Sequence, residues 1–256
     1  MCLLLISYKT HPQYKLIVAA NRDEFYERPA LPAAFWQEDE DILAGKDLLG
    51  GGTWIGITRK GRFAAITNYR DISENNPNAP SRGNLTKEFL TTDTPPGKYG
   101  ETISKNAAGY NGYNLIFGDS EGMFYFSNKS SKLIKLTPGV YGLSNHLLDT
   151  PWPKVQKSKT LFQKILANKD ITSNELFTLL SDTSIPSEDS LPDTGLSLEI
   201  ERAVSPVFVE TQYYGTRSST VIIWNNNDEI NFIEKSLKLS DRKWITSSFN
   251  FNIKGD

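Results

Sequence analysis

The chain carries a single cysteine, Cys2, directly after the initiator methionine. A small residue at the second position allows Met1 to be removed, which would leave a thiol and a free α-amine on one residue. An α-amine titrates near pH 8, about 7.7–8.0, so it is a usable base at neutral pH. N-terminal nucleophile chemistry needs that pairing of base and nucleophile. The competing reading is structural, since a lone cysteine is more often a small buried hydrophobe. Two features favour chemistry. The run Leu3-Leu4-Leu5-Ile6 is apolar on both alternating faces, as in a strand buried between layers, whereas termini are usually frayed. The only histidines are His11, before Pro12 in a polar loop, and His146, so a Cys–His dyad is poorly supplied.

The elements that must position Cys2 come next. Cys2–Tyr8 and Tyr14–Asn21 read as an antiparallel hairpin that runs into Asn21-Arg22-Asp23-Glu24. By the two-residue period Asn21 and Asp23 share one face, Arg22 and Glu24 the other. Either Arg22 or Asp23 can lie beside Cys2; the alternative is a strand end with a surface ion pair. Glu27–Glu40, with Pro29 and Pro32, reads as a loop anchored by Phe35-Trp36. Strands are expected at Ile42–Lys46, Thr53–Thr58 and Phe63–Asn68, with Gly50-Gly51-Gly52 either admitting a close group or marking a tight connection. Ile72–Arg82 reads as a polar loop and Leu85–Thr91 as a helix capped by Asn84. Further strands are expected at Tyr113–Gly118, Met123–Ser127 and Leu133–Leu136. Trp152 between prolines anchors the helix Lys154–Asn168, and a capping box at Thr172 opens another that ends near Ser181. Ile185–Leu196 is a loop, and strands close the chain at Thr220–Trp224, Glu229–Lys235 and Trp244–Ile253.

Strands in pairs argue against an alternating, doubly wound sheet. The expected class is α+β, a four-layer αββα sandwich of two mainly antiparallel sheets in a single domain over residues 1–256. With 256 residues and a formal charge of −2, evenly mixed, the chain offers no surface for nucleic acid. One cysteine rules out an internal disulfide framework, and no stretch approaches the roughly 20 apolar residues of a membrane span. No zinc spacing, phosphate loop or dinucleotide fingerprint is present, so neither metal nor cofactor is expected. These features read as a soluble, cytoplasmic protein.

The motifs Met1-Cys2, Ala19-Ala20-Asn21-Arg22-Asp23-Glu24-Phe25, Gly51-Gly52-Thr53-Trp54-Ile55-Gly56, Thr67-Asn68-Tyr69, Tyr113-Asn114-Leu115, Tyr141-Gly142-Leu143-Ser144-Asn145, Thr150-Pro151-Trp152 and Gly215-Thr216-Arg217-Ser218-Ser219-Thr220 resemble the NRDE family. This is the family of the transport and Golgi organisation protein 2 homologues, and the likeness spans nearly the whole chain. It implies an N-terminal nucleophile (Ntn) hydrolase fold, and its animal members are associated with haem mobilisation and with lipid or acyl-CoA homeostasis. A more distant likeness reaches choloylglycine hydrolases and penicillin V acylases. It implies Cys2 as nucleophile, Asp23 holding the Cys2 amine, and Asn68 and Asn145 as oxyanion or substrate-positioning donors. The catalytic arginine of those enzymes falls on Ala20 here, a departure that leaves Arg22 or Arg217 to supply positive charge. Asn21, Glu24, Trp54, Asn114 and His146 lie in or beside the same motifs and are candidate substrate-binding residues.

Two functions follow as expectations. One is hydrolysis of a non-peptide linear amide through an acyl-enzyme on Cys2, with a small-molecule amide or acyl substrate. The other is binding and trafficking of haem or an acyl thioester on the same fold, without hydrolysis, with Cys2 or His146 as a conceivable iron ligand.

Overall fold

A computed structural model of the chain describes residues 2–71 and 76–254. Among these are thirteen strands and five α-helices. The first half holds β1 (Cys2–Tyr8), β2 (Tyr14–Phe25), β3 (Ala30–Phe35), β4 (Ile42–Asp47), β5 (Ile55–Thr58), β6 (Phe63–Asn68), α1 (Gly83–Thr91), α2 (Pro96–Lys105) and β7 (Tyr113–Gly118). The second holds β8 (Met123–Ser127), β9 (Lys132–Lys135), β10 (Gly139–Leu143), α3 (Pro153–Leu166), α4 (Ser173–Leu180), α5 (Leu198–Ala203), β11 (Tyr214–Asn225), β12 (Glu229–Lys238) and β13 (Lys243–Asn252). They form two compact units. One comprises the chain up to Glu27, Pro138–Ser144 and Leu148–Asn250; the other comprises Arg28–Thr137, Asn145–Leu147 and the chain from Phe251.

The first unit is built on a six-stranded sheet in the order β10-β1-β2-β11-β12-β13. The expected β1–β2 hairpin forms, and β1 also pairs antiparallel with β10. One face packs on helices: Leu3, Leu5, Ile17, Ala19 and Val221 meet Trp152, Val155, Phe162, Leu176 and Leu180. The alternate residues Leu4, Ile6, Val18, Ala20 and Ile222 point to the other face and are also buried. Both helices start as their sequences dictate. Trp152 is the N-cap of α3 with Pro153 in its first turn, where a missing N–H costs nothing. The Thr172 hydroxyl accepts from the Glu175 N–H, while the Glu175 carboxylate accepts from the Thr172 N–H.

The second unit is a seven-stranded antiparallel meander, β3 to β9 in sequence order. Ile42, Ala44, Ala64, Ile66, Leu115 and Phe117 pack against Leu85, Phe89, Leu90, Tyr99 and Ile103 of α1 and α2. The triple glycine is a close approach made by the chain itself: a Cβ on Gly52 would stand 2.3 Å from the Gly83 carbonyl carbon. α1 begins at Gly83 with Arg82 at its N-cap, so Asn84 lies inside the helix rather than capping it.

Four further elements differ from expectation. The loop expected over Glu27–Glu40 contains β3; its Pro32 sits at the sheet edge, within a register shift between Leu31 and Ala34, where a missing ladder donor is tolerated. α2 has no counterpart among the expected elements; Pro96 is its first residue. β10 was hidden by Gly139 and Gly142, the latter clearing space for Val155, 2.8 Å from its absent Cβ. β11 begins at Tyr214 rather than Thr220. Part of the loop expected at Ile72–Arg82 lies outside the described residues. Among the described residues, no helix is long and apolar enough to cross a membrane.

Candidate active site

In the first unit, strand register sets Cys2 directly opposite Arg22, and Arg22 opposite Ser218 on the next strand. Residues paired across an antiparallel sheet point to the same side. Cys2, Arg22 and Ser218 therefore form one row on the face away from α3 and α4. Ala20 lies on that same face, opposite Leu4 and one side-chain step before Arg22. Arg22 is buried, with Nη2 3.8 Å from the half-buried Glu24 carboxylate. The start of β1 is tied down by the Ser144 hydroxyl, which donates to the Cys2 carbonyl at 2.8 Å.

Asp23 is buried, and its Oδ1 accepts from the Thr216 hydroxyl at 2.7 Å. The same Thr216 oxygen accepts from the Val209 N–H at 2.9 Å, so one hydroxyl links a loop, a strand and the carboxylate. Burial pushes the Asp23 carboxyl above its ordinary range, opposed by the Lys154 ammonium, the Thr216 hydrogen bond and the Arg22 charge. Burial also pushes the Cys2 thiol up, helped by the Asp23 charge and opposed by the Asp23 backbone N–H and by Arg22. Burial thus biases both groups toward their uncharged forms.

Arg217 occupies the irregularity between Thr216 and Ser218. Its Nη1 donates to the carbonyls of Phe25 and Tyr26, both at 2.9 Å, gripping the end of β2. Asn21 faces the helices instead: its Nδ2 donates to the Leu180 and Val207 carbonyls, and its Oδ1 accepts from the Ser219 hydroxyl. Its amide is engaged in joining strand to helix layer, on the opposite side from Cys2.

Other candidates belong to the second unit. Asn145 Nδ2 donates to the Asn68 carbonyl at 2.8 Å, and the Asn145 carbonyl accepts from the Arg70 N–H at 2.7 Å. Asn114 is fully buried; it donates to Thr67 Oγ1 and to the His146 carbonyl, and accepts from the Tyr125 hydroxyl at 2.8 Å. The His146 ring leans on Tyr69 with centroids 4.8 Å apart, and burial lowers its pKa. Asn68, Asn114, Asn145 and His146 are thereby joined in one network. Trp54 lies apart from it in the helix-side core, its ring filling the space over Gly45.

Two groups escaped the sequence reading. Lys154 is buried in the first turn of α3 and acts on Asp23. A lysine at a helix N-terminus opposes the helix dipole, and that anomaly was the available signal. Thr216 sat inside a noted motif, but only the fold shows its hydroxyl meeting Asp23. Among the described residues, no group of three or more His, Cys, Asp or Glu side chains could hold a metal ion.

A solved structure defines the class of this fold. The C2A mutant of conjugated bile acid hydrolase from Clostridium perfringens superposes over all of this chain and 99% of its own, with a TM-score of 0.50 at 12% identity. At that identity the likeness speaks for the fold alone: α+β, two antiparallel sheets with helices, of the Ntn hydrolase type. The sequence is more specific. The model of the family Transport and Golgi organisation 2 matches residues 1–239. The mouse and human homologues of that name are each 36% identical over 275 residues, covering 99% of both chains. The chain belongs to the Transport and Golgi organisation 2 family.

Proposed function

We propose that this chain is an N-terminal cysteine hydrolase of a non-peptide linear amide. The observation that supports it is the set of charged groups at Cys2: Arg22 in register with it, and the buried Asp23 carboxylate next along the strand. Removal of Met1 frees the Cys2 amine, which Asp23 holds. The amine takes the thiol proton as sulfur attacks the amide carbon, so no standing thiolate is required of a thiol whose pKa is raised. A C–S bond forms and the carbonyl electrons move to oxygen. Arg22 offers positive charge on the same face, in the place of the arginine that Ala20 lacks. The distant likeness to choloylglycine hydrolases implies Asn68 and Asn145 as oxyanion or substrate-positioning donors; loss of one oxyanion donor typically costs about 10²–10³ in rate. Collapse breaks the C–N bond, the amine leaves with the proton, and water then cleaves the thioester.

The test is a screen of acyl amides with the wild-type protein and Cys2→Ala, with intact mass recording whether Met1 is present. Turnover that depends on Cys2 and on Met1 removal is expected. Equal turnover in Cys2→Ala would sink the mechanism. Ala20 favours a second reading, binding of haem or an acyl thioester without turnover. A saturable haemin band shift that is lost in Cys2→Ala or His146→Ala would support it.

A further inference from the structure

The face of the first sheet that carries Cys2 is apolar along most of its length, with Leu4, Ile6, Val18, Ile222 and Phe232 all buried. At the Cys2 end it changes character. Arg22 is followed across the sheet by Ser218 and Ser236, and the neighbouring row runs through Ala20 and Thr220 to Glu234. Glu234 is fully buried, and two hydroxyls donate to it: Ser236 to Oε1 at 2.8 Å and Thr220 to Oε2 at 3.1 Å. Ser218, between Arg22 and Ser236, is 3% exposed, and its Oγ has no hydrogen-bond partner among the described residues. A buried hydroxyl left unmatched costs about 1–3 kcal/mol and calls for an explanation.

We propose that this polar row is a substrate subsite in which Ser218 binds a neutral hydroxyl group of the molecule attacked by Cys2. The inference rests on the proposed role of Cys2 as nucleophile and extends it to substrate class. Neutrality follows from the flanks. With the Arg22 guanidinium in register on one side and Glu234 in the next row on the other, an ion of either sign at Ser218 would meet one attracting and one repelling neighbour, leaving its desolvation uncompensated. A hydroxyl both donates and accepts, so it satisfies Ser218 without meeting like charge. The sheet also sets the reach. Ser218 is two strands from Cys2, about 10 Å at the usual strand spacing. Subtracting one hydrogen bond places the hydroxyl about 7 Å from the Cys2 sulfur, within reach of an extended chain that runs six bonds beyond the attacked carbon.

The test uses the sole cysteine as reporter, so it does not depend on amide turnover. Cys2 is labelled with N-(3-hydroxypropyl)iodoacetamide, whose hydroxyl oxygen lies six bonds from the attacked carbon, and with its propyl, 3-aminopropyl and 2-carboxyethyl counterparts. In each case sulfur bonds to the methylene carbon, iodide departs with the C–I electron pair, and the thiol proton goes to base. Intact mass gives the rates. The hydroxyl reagent is expected to label about tenfold faster than the propyl reagent, and Ser218→Ala to reduce that ratio to near one. Glu234→Gln, a second and shape-conserving variant, is expected to speed the carboxylate reagent several-fold relative to propyl. A hydroxyl-to-propyl ratio of one in the wild type, or a ratio that Ser218→Ala leaves intact, overturns the subsite. Selective labelling without turnover of any amide would instead overturn the hydrolase reading and leave the subsite standing.

Discussion

Thr216→Val isolates the electrostatics around Asp23 with almost no change of shape. Valine fills the same volume but removes the hydroxyl that donates to Asp23 at 2.7 Å and accepts from the Val209 N–H at 2.9 Å. A hydrogen bond to an ionised group contributes about 1.5–3 kcal/mol, and an orphaned buried N–H costs about 1–3 kcal/mol. The added buried methyl returns about 0.8 kcal/mol. The net loss is about 3 kcal/mol at neutral pH, or about 6–12 °C in Tm for a chain of this size. The loss also depends on pH. Burial already raises the Asp23 carboxyl in the folded state, so stability falls as pH rises from the unfolded value of about 3.9 through the folded one. Without the Thr216 donor the folded pKa rises further, and the stability loss extends to higher pH. Urea melts at stepped pH should show a Val penalty about 1 kcal/mol smaller in acid, where the bond lost is a neutral one. Thr216→Ser keeps the hydroxyl and should cost only about 1 kcal/mol at every pH. A valine penalty that equals the serine penalty, or that does not vary with pH, would refute the reasoning.

Two further outcomes are expected. In protein that retains Met1, where Cys2 has no free amine to take its proton, alkylation by iodoacetamide should keep accelerating with pH beyond the ordinary thiol pKa of about 8.5, because burial raises the thiol and the thiolate is the reactive form; a plateau below pH 8 in a mass-monitored rate profile would contradict this. Gly215→Ala should destabilise by about 1–3 kcal/mol in urea melts, since its Cβ would stand 2.5 Å from the Val209 carbonyl oxygen and 2.2 Å from Tyr26 Oη; an unchanged midpoint would mean that this loop yields freely.

Much of the fold was legible where local chemistry is unambiguous. The β1–β2 hairpin, the strands from β6 to β8, the helix after Trp152 and the Thr172 capping box follow from apolar period, turn residues and caps. The misread elements are those whose local signals are overruled by packing. Pro32 reads as a breaker until β3 is known to be an edge strand, and α2 goes unread until Pro96 is known to open it. Gly142 reads as a turn until Val155 of α3 is seen pressing on β10.

At the site, the two-residue period already separated Arg22 from Asp23. Which of them faces Cys2 depends on the register of β1 against β2, and register is a long-range property. The pairing set Arg22 opposite Cys2 and turned Asn21 toward the helices. Lys154, Thr216, Ser218 and Glu234 are distant in sequence from Cys2, and no spacing rule links them to it. The sequence alone determined the family, the antiparallel α+β class and the lone cysteine as the residue to watch, because these rest on motifs and short-range periodicity. Only the tertiary structure decided which buried charges act on that cysteine and which hydroxyls share its face. Those depend on strand pairing and helix packing, which bring together residues up to about two hundred positions apart.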